Sequence, residues 1–164
     1  MKAAAIILAA GFSSRMGSDK ALLPFGETTA LELLLATYQQ AGVGQIVVVS
    51  GRNHGLLQQR GLAVELVHNP DPAAGMFSSI KLGTAQLGPD LDAFFVQPVD
   101  IPLVSPATLT GLICSLQQNL LVDAVIPVFQ GRRGHPPLLS ARLASSIDGY
   151  SGDSGLRGFL SSRR

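Results

Sequence analysis

Four segments of this chain hold residues from which chemistry could be made. The first is Leu8-Ala9-Ala10-Gly11-Phe12-Ser13-Ser14-Arg15-Met16-Gly17-Ser18-Asp19-Lys20, directly after an apolar stretch. Small residues let backbone approach a ligand closely, successive N–H groups make a concave anion donor, and Arg15 and Lys20 add two cations. That combination suits a polyphosphate. The spacing matches neither Gly-x-x-x-x-Gly-Lys-Ser/Thr nor Gly-x-Gly-x-x-Gly, so the Walker and dinucleotide fingerprints are excluded. An ordinary connection with solvated cations fits the same residues, although a loop this long is uncommon without a function.

The second segment runs from Asn69 to Ile80, Asn-Pro-Asp-Pro-Ala-Ala-Gly-Met-Phe-Ser-Ser-Ile. Gly75 supplies flexibility and Ser78 or Ser79 can cap a helix. Asn69, Gly75, Ser78 and Ser79 are candidates for holding a base, ribose or phosphate, and an unliganded capped turn explains them as well. In the third, Phe94-Phe95-Val96-Gln97-Pro98-Val99-Asp100-Ile101-Pro102, an aspartate between prolines ends an apolar run. Asp100 can hold Mg²⁺ against phosphate oxygens, or simply serve a turn ahead of Ser105-Pro106. The fourth is a glycine-flanked pair, Gly131-Arg132-Arg133-Gly134-His135-Pro136-Pro137 and Gly152-Asp153-Ser154-Gly155-Leu156-Arg157-Gly158. Its polar groups suit a flat, polar or phosphorylated second substrate, and its first half also reads as a β-turn with two exposed arginines. His135 has no histidine near it in sequence, which argues against a metal role.

The elements that must position these segments alternate. Apolar runs at 3–8, 45–50, 63–67, 93–96 (with a continuation to 99) and 124–128 are mostly continuous, as in strands covered on both faces. Thr29 and Glu32 form a capping box for a helix with Leu31, Leu34, Leu35 and Tyr38 on one face and Gly42 as its stop. Ser105-Pro106 opens another, carrying Leu109, Leu112, Ile113 and Leu116, while 53–60 and 78–87 are weaker helical stretches. The alternation predicts a three-layer, Rossmann-like α/β fold with a mainly parallel central sheet. Ligands of such sheets bind outside the carboxyl ends of the strands, where the four segments lie.

Composition narrows the setting. At 164 residues the chain makes one well-cored domain, 1–164, and is too short for two. With 12 Lys+Arg against 11 Asp+Glu, bulk charge implies no nucleic-acid surface. Charged residues are only 14%, which suggests that a subunit, partner or large ligand covers part of the surface. A lone Cys114 excludes an intramolecular disulfide and a cysteine zinc site, and is expected as a small core thiol. The apolar run after Lys2 is too short for a secretory signal and no run is long enough for a membrane span, so no membrane partner and a cytoplasmic location are expected.

Together, and in order, these pieces resemble the MobA-like nucleotidyltransferase family, in particular the branch typified by molybdenum cofactor cytidylyltransferases. The matching residues are Leu8-Ala9-Ala10-Gly11 with Arg15-Met16-Gly17 and Lys20; Gly75-Met76-Phe77-Ser78-Ser79; Pro98-Val99-Asp100-Ile101-Pro102; Gly134-His135-Pro136; and Gly152-Asp153-Ser154-Gly155-Leu156-Arg157. The resemblance implies a fold of the nucleotide-diphospho-sugar transferase type. It implies a Mg²⁺-dependent cytidylyltransferase that moves CMP from CTP onto the terminal phosphate of molybdopterin and serves a molybdenum hydroxylase apoenzyme. Backbone of Leu8, Ala9, Ala10 and Gly11 would read the base, Arg15 and Lys20 would meet the phosphates, and Asp100 would hold the metal. His135, Asp153 and Arg157 would face the pterin. Leu-Ala-Ala-Gly resembles the cytidylyl form, whereas Leu-Ala-Gly-Gly would open space for the purine of GTP. Family members usually continue into a final strand and an acidic segment that can supply a second metal carboxylate. Without it, water or substrate oxygen takes that place, or the member is shortened and impaired. Two alternatives stay open: a sugar phosphate or other phosphorylated acceptor, and a non-catalytic molybdopterin-binding accessory protein.

Overall fold

Seven consecutive apolar residues, Ala3–Ala9, form β1, and all seven are buried because the strand is covered on both faces. The structure, a computed structural model, describes residues 1–11, 19–152 and 154–163. The other sheet strands are β2 (Gln45–Ser50), β3 (Glu65–His68), β4 (Ala93–Pro98), β5 (Ala124–Val125) and β6 (Leu138–Ser140). Their order is β3-β2-β1-β4-β6-β5, with β1 to β4 mutually parallel and β6 antiparallel to both of its neighbours. The helices are α1 (Ala30–Gln40), α2 (His54–Gln59), α3 (Met76–Thr84), α4 (Pro106–Gln118), α5 (Ala144–Asp148) and α6 (Gly155–Ser161).

Side chains alternate between two cores, one on each face of the sheet. Ala5, Ile7, Val48 and Phe95 meet Leu31, Leu34 and Tyr38 of α1, Leu57 of α2, and Leu109, Leu112 and Leu116 of α4. Ala4, Ile6, Val47, Phe94 and Leu139 meet Ile80 of α3, Ile147 of α5 and Phe159 of α6. This is the expected three-layer arrangement with a mainly parallel sheet. The capping box is present as well: Thr29 accepts from Glu32 N, and the Glu32 carboxylate accepts from Thr29 N at 2.8 Å.

Three local expectations are corrected, and one strand was not foreseen. The run 124–128 breaks after Val125, because Pro127 cannot donate to a ladder; Val128–Phe129 instead pairs with Arg132–Arg133 in a separate hairpin. Strand β6, only three residues long and preceded by two prolines, has too little pattern to be read from sequence, yet it fills the place between β4 and β5. Helix α3 begins at Met76, so Ser78 lies inside its first turn; its hydroxyl donates to Gly75 O at 2.8 Å and does not cap the helix. Cys114 is exposed, since Leu109, Leu112 and Leu116 turn the opposite side of α4 to the sheet. Among the described residues no helix is long and apolar enough to cross a membrane.

Candidate active site

The carboxyl ends of β1 and β4 open onto a small cleft of about 210 Å³, which brings together Leu8, Ala9, Ala10, Gly11, Lys20, Gly75, Ser79 and Asp100. Lys20 opens a short 3₁₀ turn, Lys20–Leu22, capped by Asp19, whose carboxylate accepts from Ala21 N at 2.9 Å. Its Nζ lies 3.2 Å from Asp100 Oδ2, although the two are 80 positions apart. Both side chains are at least a third exposed, and an ion pair so open to water contributes only ~0–1 kcal/mol. The pair therefore does little to hold the fold. It sets a cation beside a carboxylate at the lip of a cleft, the charge pattern that a nucleotide's phosphates and a divalent cation complement.

Asn53, absent from the sequence-based candidates, anchors the end of β1 from behind. Its side chain is buried, donates from Nδ2 to Ala9 O at 3.0 Å and accepts Gly51 N at 2.9 Å. Asn53 stands where an N-cap of α2 is expected, but its side chain makes no cap. Gly51 allows this closeness: a Cβ there would lie 2.9 Å from Ala10 O. The clue in sequence was only a Gly-x-Asn at a strand end.

Of the second segment, Ser79 lines the small cleft and Ser78 a larger one, while Asn69 sits beneath both. Asn69 Nδ2 donates to both hydroxyls at 2.9 Å, and its Oδ1 accepts Asp71 N at 3.0 Å. Asn69 thus orients the hydroxyls and does not itself reach the cleft. Gly75, with φ +93°, makes the left-handed turn that aims the start of α3 between the two clefts.

The larger cleft, about 670 Å³, adjoins the first across Gly75, Met76 and Pro98. His135 and Arg157, both exposed, line it together with Phe77, Lys81 and Tyr150. The rings of Phe77 and Tyr150 meet edge to face at 5.3 Å, and Lys81 Nζ donates to Asp148 O at 2.8 Å. Phe77 lies in the second candidate segment, but Lys81 reads as an ordinary helix position and Tyr150 is not singled out, so the wall they make together was not legible in sequence. Arg132 and Arg133 stay on the exposed hairpin, as the plain turn reading has it. Arg15 and Asp153 lie outside the described residues.

Among the described residues, no group of three or more His, Cys, Asp or Glu could cage a metal. The single carboxylate of Asp100 would suit a divalent cation of the kind that keeps several waters and takes its remaining ligands from phosphate oxygens.

Comparison with known proteins fits this geometry. Residues 5–164 match the MobA-like NTP transferase domain. The chain belongs to that family. A molybdenum cofactor guanylyltransferase of Xanthomonas euvesicatoria pv. vesicatoria is 39% identical to this MobA-like domain over 127 residues, covering 75% of this chain and 61% of that protein. A molybdenum cofactor cytidylyltransferase of Escherichia coli is 31% identical over 138 residues, covering 82% and 68%. The domain thus spans about two thirds or less of the length of these relatives. The crystal structure of Rv0371c from Mycobacterium tuberculosis in complex with manganese superposes with a TM-score of 0.81 at 25% identity, covering 100% of this chain and 84% of that one.

Proposed function

We propose that residues 1–164 act as one nucleotidyltransferase domain that moves CMP from CTP onto the terminal phosphate of molybdopterin. The observation that carries this reading is the meeting of Lys20 and Asp100 at 3.2 Å on the lip of a small cleft that opens into a larger one. Two adjoining clefts are what a two-substrate transfer requires, with the reacting phosphates at their junction. The relatives named for guanylyl and cytidylyl transfer to the molybdenum cofactor support the substrate class.

In this reading backbone groups of Leu8, Ala9, Ala10 and Gly11 take the base. Ala10 in place of a second glycine leaves room for a pyrimidine and favours CTP over GTP. Lys20, with Arg15, draws charge from the triphosphate, and the hydroxyl of Ser79 faces the nucleotide from the start of α3. His135, Asp153 and Arg157 hold the acceptor in the larger cleft. An acceptor phosphate oxygen attacks the α-phosphorus in line, the new P–O bond forms as the α–β bridge breaks, and pyrophosphate leaves. A Mg²⁺ ion held by Asp100 would neutralise phosphate charge during that exchange. The protein's share is positioning and charge, with no covalent intermediate.

The test is pyrophosphate release from CTP, Mg²⁺ and molybdopterin, with GTP in parallel. Turnover with CTP in preference to GTP is expected, and Asp100→Asn should lower it by roughly 10²–10³-fold without unfolding the protein. Retained molybdopterin binding with no turnover for either nucleotide would replace the enzyme with a cofactor-binding accessory protein.

A further inference from the structure

One buried polar side chain lies within the apolar layer under the site. Gln97 is fully buried in β4, opposite Ile7 of β1, on the face that packs against α1 and α4. All of its hydrogen-bonding groups are engaged. Its Nε2 donates to Pro98 O at 2.8 Å and to Ile101 O at 3.0 Å, and its Oε1 accepts from the hydroxyl of Tyr38 at 3.1 Å. The two carbonyls can only accept, so the amide nitrogen must face them and the oxygen must face the phenol. Burial pushes the Tyr38 phenol well above its ordinary range, which keeps it protonated and donating.

The two carbonyls bracket Asp100. Residues 98–101 form a turn in which Ile101 N donates to Pro98 O at 3.3 Å and Val99 N to Leu8 O at 3.1 Å. Pro102 follows and has no N–H to contribute. Gln97 therefore ties both ends of the turn from beneath, and Tyr38 ties Gln97 to α1. The same helix packs against the short turn that carries Lys20 through Ala30 N, which donates to Leu23 O at 2.9 Å. The cation and the carboxylate of the lip are thus referenced to one rigid element.

We infer that Gln97, oriented by Tyr38, is a positioning residue that fixes the Asp100 turn at the depth and angle at which its carboxylate meets Lys20 and a divalent cation. The inference rests on the reading of Asp100 as the metal-holding carboxylate. An outer hydrogen bond that orients a ligand typically accounts for 10–100-fold in metal affinity or activity.

The experiment uses the full chain with Gln97→Met, which keeps volume and removes the amide, and with Tyr38→Phe, which removes only the hydroxyl and keeps the fold should the first variant not express. Amide hydrogen exchange at residues 99–103 and Mn²⁺ affinity by electron paramagnetic resonance are measured, with Asp100→Asn as the control. Gln97→Met should speed exchange in that turn at least ten-fold and weaken Mn²⁺ ten-fold or more, with Tyr38→Phe smaller in the same direction. Restoration of Mn²⁺ affinity by Gln97→His, whose imidazole N–H can donate, supports a positioning role over a merely structural one. Unchanged exchange in both variants overturns the inference, whatever Asp100 binds. Faster exchange with unchanged Mn²⁺ affinity overturns its link to the metal. If Asp100→Asn leaves Mn²⁺ affinity unchanged, the reading of Asp100 fails, and the exchange data still decide whether Gln97 holds the turn.

Discussion

Removing the amide of Asn53 tests whether the end of β1 serves the small cleft only when its backbone is held from behind. The side chain makes two buried bonds, to Ala9 O at 3.0 Å and from Gly51 N at 2.9 Å. At ~1–1.5 kcal/mol each, their loss in Asn53→Ala should destabilise the protein by about 2–3 kcal/mol. For a chain of this size that lowers Tm by roughly 4–12 °C, measurable by thermal or urea unfolding. The functional effect should be larger than stability alone explains, because Ala9 and Ala10 line the small cleft and a shift of about 1 Å there can cost up to ~100-fold. Asn53→Asp separates the two effects. Its carboxylate can still accept from Gly51 N, but it sets a second acceptor against Ala9 O and should displace the end of β1. Nucleotide kcat/KM should therefore fall in both variants. If kcat/KM holds within two-fold in both while stability falls as expected, Asn53 is structural only and its proposed effect on the cleft is refuted.

Three further outcomes are expected. Ala10→Gly should reduce the CTP-to-GTP preference by about ten-fold, on the scale of one methyl group in a pocket, and an unchanged ratio of kcat/KM values would remove Ala10 from base selection. Arg157→Ala should raise the acceptor's KM about ten-fold or more while leaving that of CTP alone, as loss of one charge-assisted hydrogen bond in the larger cleft requires; equal effects on both substrates would refute that assignment. The side-chain hydrogen bond from Thr29, then the bond from its backbone, hold the Glu32 carboxyl below its ordinary value of 4.5. Because the folded value is the lower one, the stabilisation is fully present above pH 4.5 and is lost as pH falls through the folded value. The stability difference between the natural chain and Glu32→Gln should shrink on acidification in urea titrations, and a flat difference from pH 7 to pH 3 would contradict it.

Continuous apolar runs and capping signals were enough to specify the layers of this protein. Gln45–Ser50 matches its expected bounds, and the helix opened by Thr29 and Glu32 carries its expected buried face, because both signals depend on residues adjacent in the chain. The candidate segments were legible for the same reason: small residues, a lone aspartate and glycine-flanked polar groups stand out locally. Folding alone decided which of them meet. Lys20 reaches Asp100 across 80 positions because β1 and β4 pair in parallel and end at the same edge, and no local spacing encodes that pairing. The three-residue β6, the wall made by Phe77, Lys81 and Tyr150, and the roles of Asn53 and Gln97 were equally hidden. Each depends on at least one partner far away in sequence, Ala9 for Asn53 and Tyr38 for Gln97, so its residue type takes on meaning only where the chain returns to meet it.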